Sequence, residues 1–302
     1  MALTSEIVES ETTTAPAAHG GAAARVASAE LPDHTPDPAR LAAVRKTTPG
    51  DVVVLIGPGD LPAIMVNALH DAFGELTVIR EQKQPTSFMI KRRVKMLGVV
   101  ATVGQVAFGL LLTLIHKRSA PRKLAIIAEA GLCPVLDTSR VTIHDVASVN
   151  AAACRSLLQH TAPRVVIVVG TRMISKATLD AIDAPVINYH AGLNPTYRGM
   201  NGGYWALANG DAEGAGVTVH LVDPGVDTGA PLYWRRFTAT SDDSFVTYPL
   251  LQADIGRALL VGAAQDAIDG TLTPQSVPLR SAQWFHPTLW GYLWTGVRKG
   301  VW

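Results

Sequence analysis

Asp51-Val52-Val53-Val54-Leu55-Ile56-Gly57-Pro58-Gly59 is the stretch from which the fold can be read. Five consecutive apolar residues, closed by a Gly-Pro-Gly turn, predict a strand covered on both faces, since a strand with one wet face would alternate. A helical pattern from Leu61 to Phe73 follows at once, giving strand, turn and helix in succession. Leu76 to Arg80, Lys123 to Ala128 and Val165 to Val169 read as further strands, with a helical pattern from Val149 to Gln159 before the last. Strands that alternate with helices require right-handed crossovers, and such sheets hold ligands at the C-terminal ends of their strands. The expected architecture is α/β, a Rossmann-like, mostly parallel sheet flanked by helices. Gly57-Pro58-Gly59-Asp60 falls short of a dinucleotide fingerprint and carries an acid that repels anions, so it reads as an ordinary tight turn.

Two later stretches carry the candidate chemistry. Val186-Ile187-Asn188-Tyr189-His190 reads as a strand entering the loop Ala191-Gly192-Leu193-Asn194-Pro195-Thr196-Tyr197-Arg198-Gly199. Side chains alternate along a strand, which puts Asn188 and His190 on one face. An amide beside an imidazole offers carbonyl chemistry a donor for an oxyanion and a group that moves a proton. Alone, the pair reads more simply as two satisfied turn residues. The second stretch, Gly216-Val217-Thr218-Val219-His220-Leu221-Val222-Asp223-Pro224-Gly225-Val226-Asp227-Thr228-Gly229, changes that. A carboxylate on a tight glycine-flanked turn contributes nothing to a core, so Asp227 is expected to meet Asn188 and His190.

Asn188-x-His190, Leu193-x-Pro195-x-Tyr197-Arg198-Gly199, Gly216 to His220 and Gly225-Val226-Asp227-Thr228-Gly229 together resemble the formyltransferase family that uses 10-formyltetrahydrofolate. That family includes glycinamide ribonucleotide transformylase, methionyl-tRNA formyltransferase and the amino-sugar N-formyltransferases. The resemblance is strong from Val165 to Leu232. It implies Asn188, His190 and Asp227 as the catalytic trio, with 10-formyltetrahydrofolate as co-substrate and no metal. It also implies a pterin-holding loop at Arg172, Met173 and Ile174, with His220, Val222 and Asp223 near the folate; for His220 a buried structural role is the alternative. Gly170 to Ser175 equally suits a strand-to-helix turn in which Ser175 caps a helix from Lys176 to Ile182. Ala191-Gly192 departs from the pattern, since many members carry Ser before the Leu.

The implied reaction is formyl transfer to the amine of a small acceptor, an amino sugar or related biosynthetic intermediate, with Asn188 and protonated His190 holding the oxyanion. Formyltetrahydrofolate hydrolase and a methionyl-tRNA formyltransferase-like enzyme are alternatives within the same chemistry. An inactive membrane-associated binding or scaffold module with the same fold is the alternative from another class.

Composition bounds these readings. The chain has 302 residues, 48% of them hydrophobic, enough for a full α/β core. Its 26 basic and 25 acidic residues leave a net charge of +1, which does not point to nucleic acid as a partner. Cys133 and Cys154 are too few for a disulfide framework or a zinc site, and suit a cytoplasmic setting.

Residues 1–45 are rich in Ala, Thr, Pro and Ser and read as a disordered tail, 46–240 as the catalytic domain, and 241–302 as a C-terminal helix with an aromatic tail. Within the domain, 91–118 is an apolar helical insert: Met96 to Ile115 is broken only by Gln105 and two Thr, with Lys91, Arg92, Arg93, Lys95, Lys117 and Arg118 at its flanks. Three placements fit it: a helix buried in the fold or in a homodimer, one lying in a membrane surface, and a span. Trp284, Phe285, Trp290, Tyr292, Trp294 and Trp302, with Arg298 and Lys299, suit packing on the domain or a membrane interface.

Overall fold

The computed structural model describes residues 31–302. In chain order its elements are α1 (Pro38–Ala42), β1 (Val52–Ile56), α2 (Asp60–Phe73), β2 (Thr77–Glu81), α3 (Thr86–Arg118), α4 (Ala120–Glu129), β3 (Thr142–Val146), α5 (Ala152–Thr161), β4 (Val165–Val169) and α6 (Lys176–Leu179). Then follow β5 (Val186–His190), β6 (Arg198–Gly199), α7 (Gly202–Ala208), β7 (Gly216–Leu221), β8 (Pro231–Arg236), α8 (Tyr248–Asp269), β9 (Gln283–Trp284) and α9 (Leu289–Lys299). Seven strands form one sheet in the order β3-β2-β1-β4-β5-β7-β8. The first five are parallel, while β7 and β8 are antiparallel additions.

β1 and β4, the two unbroken apolar runs, lie side by side in the middle of the sheet and are buried at every residue. Val52, Val54 and Ile56 pack beneath α2 and α8, while Val53 and Leu55 pack against Cys154 and Leu158 of α5 on the other face. This two-sided cover is the physical reason for the missing alternation. Gly57 closes β1 against the next loop, where a Cβ would lie 1.9 Å from the Gly170 carbonyl oxygen.

The structure corrects several expectations. Lys123 to Ala128 is not a strand but part of α4, started by a proline in its first turn and burying one residue, Ile126, against the core. The strand itself is β3, whose Thr-Ile-His-Asp-Val sequence lies at the sheet edge and is largely uncovered, so it lacks an apolar run. The expected tail is ordered from residue 31 onward: His34 exchanges backbone hydrogen bonds with Trp234, Asp37 caps α1, and Arg40 pairs with Asp266 at 2.7 Å. The rest of that stretch, 1–30, lies outside the described residues. Ser175 stands at the N-cap of α6 without a side-chain bond to a backbone amide; its Oγ meets Thr178 Oγ1 at 3.2 Å instead. Pro249 stands in the first turn of α8.

The apolar insert belongs to a longer helix, α3, broken at Gly98, whose φ of 82° and ψ of 169° are not helical. It is not a core helix: only Thr102, Gly104, Gln105 and Phe108 are buried. Phe108 joins Tyr204, Phe245 and Tyr292 in a separate aromatic cluster that ties α3 and α9 to α7. Trp284 and Phe285 pack on the domain, whereas Trp290 and Trp294 remain exposed.

Candidate active site

β5 is where the sheet turns from parallel to antiparallel, and its two faces have different fates. Ile187 and Tyr189 enter the core beneath α8. Asn188 and His190 point the other way, and β7 pairs alongside so that Asn188 sits opposite His220 and His190 opposite Thr218. Four polar side chains therefore form a two-by-two block on one face, at the C-terminal end of β5. His190, Thr218 and His220 are buried.

Asp227 reaches this block from the loop between β7 and β8. Its φ of 50° is left-handed, a conformation Asp tolerates better than most residues. The loop is clamped by the other one: Asn194 Nδ2 donates to the Asp227 carbonyl at 3.1 Å, and Arg198 Nη1 to the Val226 carbonyl at 2.7 Å. One carboxylate oxygen accepts from the Gly199 amide at 2.9 Å and lies 3.4 Å from His190 Nδ1. The other accepts from Asn188 Nδ2 at 3.2 Å and lies 3.5 Å from His220 Nε2. The expected convergence of Asn188, His190 and Asp227 is present, with His220 as a fourth member.

Carbonyl partners set the ring tautomers. His190 Nε2 is 2.8 Å from the Tyr197 carbonyl and must donate to it, which leaves Nδ1 facing Asp227. His220 Nδ1 likewise donates to the Leu221 carbonyl at 2.7 Å, while its Nε2 is 3.1 Å from Asn188 Nδ2. Gly192 permits the His190 arrangement, because a Cβ there would lie 2.3 Å from the Tyr197 oxygen and 2.6 Å from His190 Nε2.

Burial pulls the His190 imidazole below its ordinary value and outweighs the opposite pull of Asp227 and the Tyr197 carbonyl. Burial pushes the Asp227 carboxyl up, but His190, His220 and the Gly199 amide together hold it well below the usual carboxylate range. The Asp227 carboxylate faces His190 Nδ1 at 3.4 Å, an arrangement that stabilises a proton on that nitrogen.

These groups line a cleft of about 510 Å³, and Arg172, Met173, Ile174, Val222 and Asp223 line it too. The structure thus gathers every expected site residue around one cavity. Two of them are already engaged. Glu81, buried at the end of β2, accepts from the Arg172 amide at 2.7 Å and pairs with its guanidinium at 2.6 Å, fixing the loop after β4. Asp223 Oδ1 accepts from the Gly225 amide at 3.0 Å and the Thr228 hydroxyl at 2.6 Å, building the turn that delivers Asp227. The sequence reading missed the opposite wall, formed by Met89, Arg92, Arg93, Met96 and Leu97 of α3 with Trp284, Phe285 and His286. Trp284 Nε1 also donates to the Thr196 carbonyl at 3.0 Å, bracing the loop after β5. Among the described residues no His, Cys, Asp and Glu group has the arrangement of a metal site.

Residues 115–263 match the formyl transferase family. That match covers 149 of the 302 residues, just under half of the chain. The matched region begins where α3 ends and includes the whole polar block and the Asp227 loop. Methionyl-tRNA formyltransferase of Pelobacter propionicus is 32% identical over 150 residues, covering 49% of this chain and 44% of the relative. The same enzyme of Levilactobacillus brevis is 36% identical over 112 residues, 37% of this chain and 35% of that one. The chain thus spans less than half the length of either relative. Among solved structures, a phosphoribosylglycinamide formyltransferase from Coxiella burnetii superposes with a TM-score of 0.48 at 19% identity, covering 78% of this chain and 94% of its own. A 4-N formyltransferase from Francisella tularensis gives a TM-score of 0.48 at 10% identity, covering 78% and 76%.

Proposed function

We propose that the protein transfers a formyl group from 10-formyltetrahydrofolate to the amine of a small acceptor, an amino sugar or related intermediate. The observation that carries this reading is the meeting of Asn188, His190 and Asp227 at the cleft, each held by a partner from another segment. The cleft is of a size that takes a drug-sized ligand, and Met173 and Ile174, from the loop after β4, line it.

The chemistry follows from the residues. A neutral acceptor amine attacks the formyl carbon, forming a C–N bond and a tetrahedral oxyanion. Asn188 Nδ2 supplies the donor: both of its hydrogens rest on partners within the site, His220 and Asp227, so the oxyanion takes one over. One such donor lowers the barrier by about 3 kcal/mol. The amine, now cationic, gives its proton to His190 Nδ1, where the resulting imidazolium faces Asp227. The proton then passes to the departing nitrogen of the folate as its bond to the formyl carbon breaks, releasing the N-formyl product and tetrahydrofolate.

A second reading, in which the acceptor is the amino group of an aminoacyl-tRNA, is favoured by the identity to methionyl-tRNA formyltransferases. One assay tests both. The protein is incubated with 10-formyltetrahydrofolate alone, with a panel of nucleotide-linked amino sugars, and with methionyl-tRNA, and tetrahydrofolate release is followed. Release that depends on an amino sugar supports the proposal, and release that depends on the tRNA replaces it with the second reading. Equal release without any acceptor marks a hydrolase, and none under any condition marks a scaffold.

A further inference from the structure

Beyond its glycine break, α3 is apolar on both faces: Phe108, Leu111, Leu112 and Ile115 pack on the domain, and a second apolar stripe faces out. A helix on a water-soluble domain turns its apolar stripe inward and its polar stripe to water. Here the polar side chains Thr102 and Gln105 are inside, 3% and 4% exposed, and Gln105 Nε2 donates to the His286 carbonyl at 2.7 Å. Val99, Val103, Val106, Leu110 and Leu114, spaced three and four apart along the other face, point outward, with Val100 and Leu110 each 74% exposed. Little of this apolar stretch is covered by the rest of the described residues.

α9 repeats the arrangement. Tyr292 and Gly296 face inward, while Trp290, Leu293, Trp294 and Val297 face out, and Trp290 lies against Gly104 of α3. Two adjacent helices thus present one continuous apolar surface.

The charges say what covers it. Residues 82–128 hold nine Lys and Arg and no Asp or Glu, and residues 270–302 hold three and none. Lys91, Arg92 and Lys95 are exposed on the first half of α3, Lys117 and Arg118 at its end, and Arg298 stacks 4.4 Å over the Trp294 ring. A second copy of the chain would bring no acid on these two helices to meet those cations. An anionic lipid surface answers both features, with acyl chains for the stripe and headgroups for the cations and indoles. A bilayer span does not fit, since Thr102, Gly104, Gln105 and Phe108 are committed to the protein on the opposite face.

We propose that α3 and α9 form a platform that lies in the surface of an anionic bilayer, with the basic half of α3, which is also a wall of the cleft, at the headgroup level. This binding is independent of the chemistry at Asn188, His190 and Asp227.

The test is sedimentation of the full chain with vesicles of phosphatidylcholine, with and without phosphatidylglycerol as the minority lipid, at low and high salt. The expected result is binding to the anionic vesicles that weakens with salt. Val103→Gln, Leu110→Gln and Leu114→Gln combined replace exposed side chains only, so the fold, followed by circular dichroism, is retained while affinity falls at least about tenfold. Lys91→Gln with Lys95→Gln and Lys117→Gln lowers it about fivefold per lysine on anionic vesicles and leaves binding to pure phosphatidylcholine unchanged. Absence of vesicle binding by the native chain, or full binding by the variant changed at Val103, Leu110 and Leu114, overturns the proposal. So does a stable dimer in light scattering that the glutamine variant dissociates while vesicles bind neither protein.

Discussion

The block around Asp227 and the platform of α3 and α9 are opposite violations of the rule that polar groups stay wet and apolar groups dry. At the first, a carboxylate, an amide and two imidazoles are gathered, largely buried, at the end of β5. At the second, Val100, Leu110 and Trp294 stand in the open. The carboxylate is matched by the Gly199 amide, Asn188 and two histidines, so its desolvation is offset within the fold. Among the described residues nothing offsets the platform. Buried polarity with partners is what a reaction needs, whereas exposed apolarity without partners is what an interface needs.

The sharpest way to break the first half of that comparison is to remove the charge and leave the shape. Asp227→Asn keeps the left-handed backbone accessible, since Asn tolerates it nearly as well. It takes away the carboxylate that stabilises a proton on His190 Nδ1. Turnover, followed as tetrahydrofolate release, should fall about 10³-fold or more with the thermal transition intact. A variant retaining turnover to within about tenfold would show that the carboxylate only shapes the loop.

A next smaller effect tests position alone. In Gly192→Ala the new methyl meets the Tyr197 carbonyl, a backbone atom that cannot step aside, and the ring nitrogen that carbonyl holds. Chemical denaturation should show a loss of about 1–3 kcal/mol, with activity lost as the imidazole shifts. Unchanged stability and activity together would mean that the loop after β5 has slack, contrary to the clamps described.

Much of the sheet was legible from the chain because burial on both faces writes itself as an unbroken apolar run, as at Val52–Ile56 and Val165–Val169. The trio was legible because carboxylates and imidazoles next to glycine turns have no part in a core. His220 was assigned to the folate, yet its contact with Asn188 depends on the antiparallel register of β5 and β7, which no local pattern encodes. β3 was missed because an edge strand needs no apolar run, and Glu81 because a single acid at a strand end looks solvated until Arg172 arrives from a loop 91 residues away. The insert was seen as apolar, but which of its faces is wet is a tertiary fact.

His286 joins the two regions, lining the cleft while its carbonyl holds Gln105 of the platform helix. Burial, aided by Arg93, pushes its imidazole down to about 4. The unfolded chain accepts a proton near the ordinary value of about 6.5, and the folded chain refuses it. Stability is therefore complete above that value and drains away as pH falls toward 4, by on the order of 2 kcal/mol after allowance for partial exposure. His190, whose imidazole is also lowered, adds a loss of the same sign, whereas Asp227 gives up its contribution only at much lower pH. His286→Phe keeps the ring between Phe245 and Phe108. Denaturation at a series of pH values should show a flatter acid limb than the native chain, and an unchanged limb would remove His286 as its source.

The smallest effect belongs to the platform. Leu110→Ser removes a leucine that the fold leaves in water, so the folded and unfolded states lose the same contact and stability should move by no more than about 0.5 kcal/mol. Leu69→Ala, at a side chain with no exposure, should cost about 2–5 kcal/mol for the cavity it leaves. The pair turns the contrast into one measurement on dilute, lipid-free protein. If Leu110→Ser costs more than about 1.5 kcal/mol, the stripe is already covered in solution, and what covers it is protein. If it costs nothing while its vesicle affinity falls, the apolar face serves no purpose in folding and gains its partner only at the membrane.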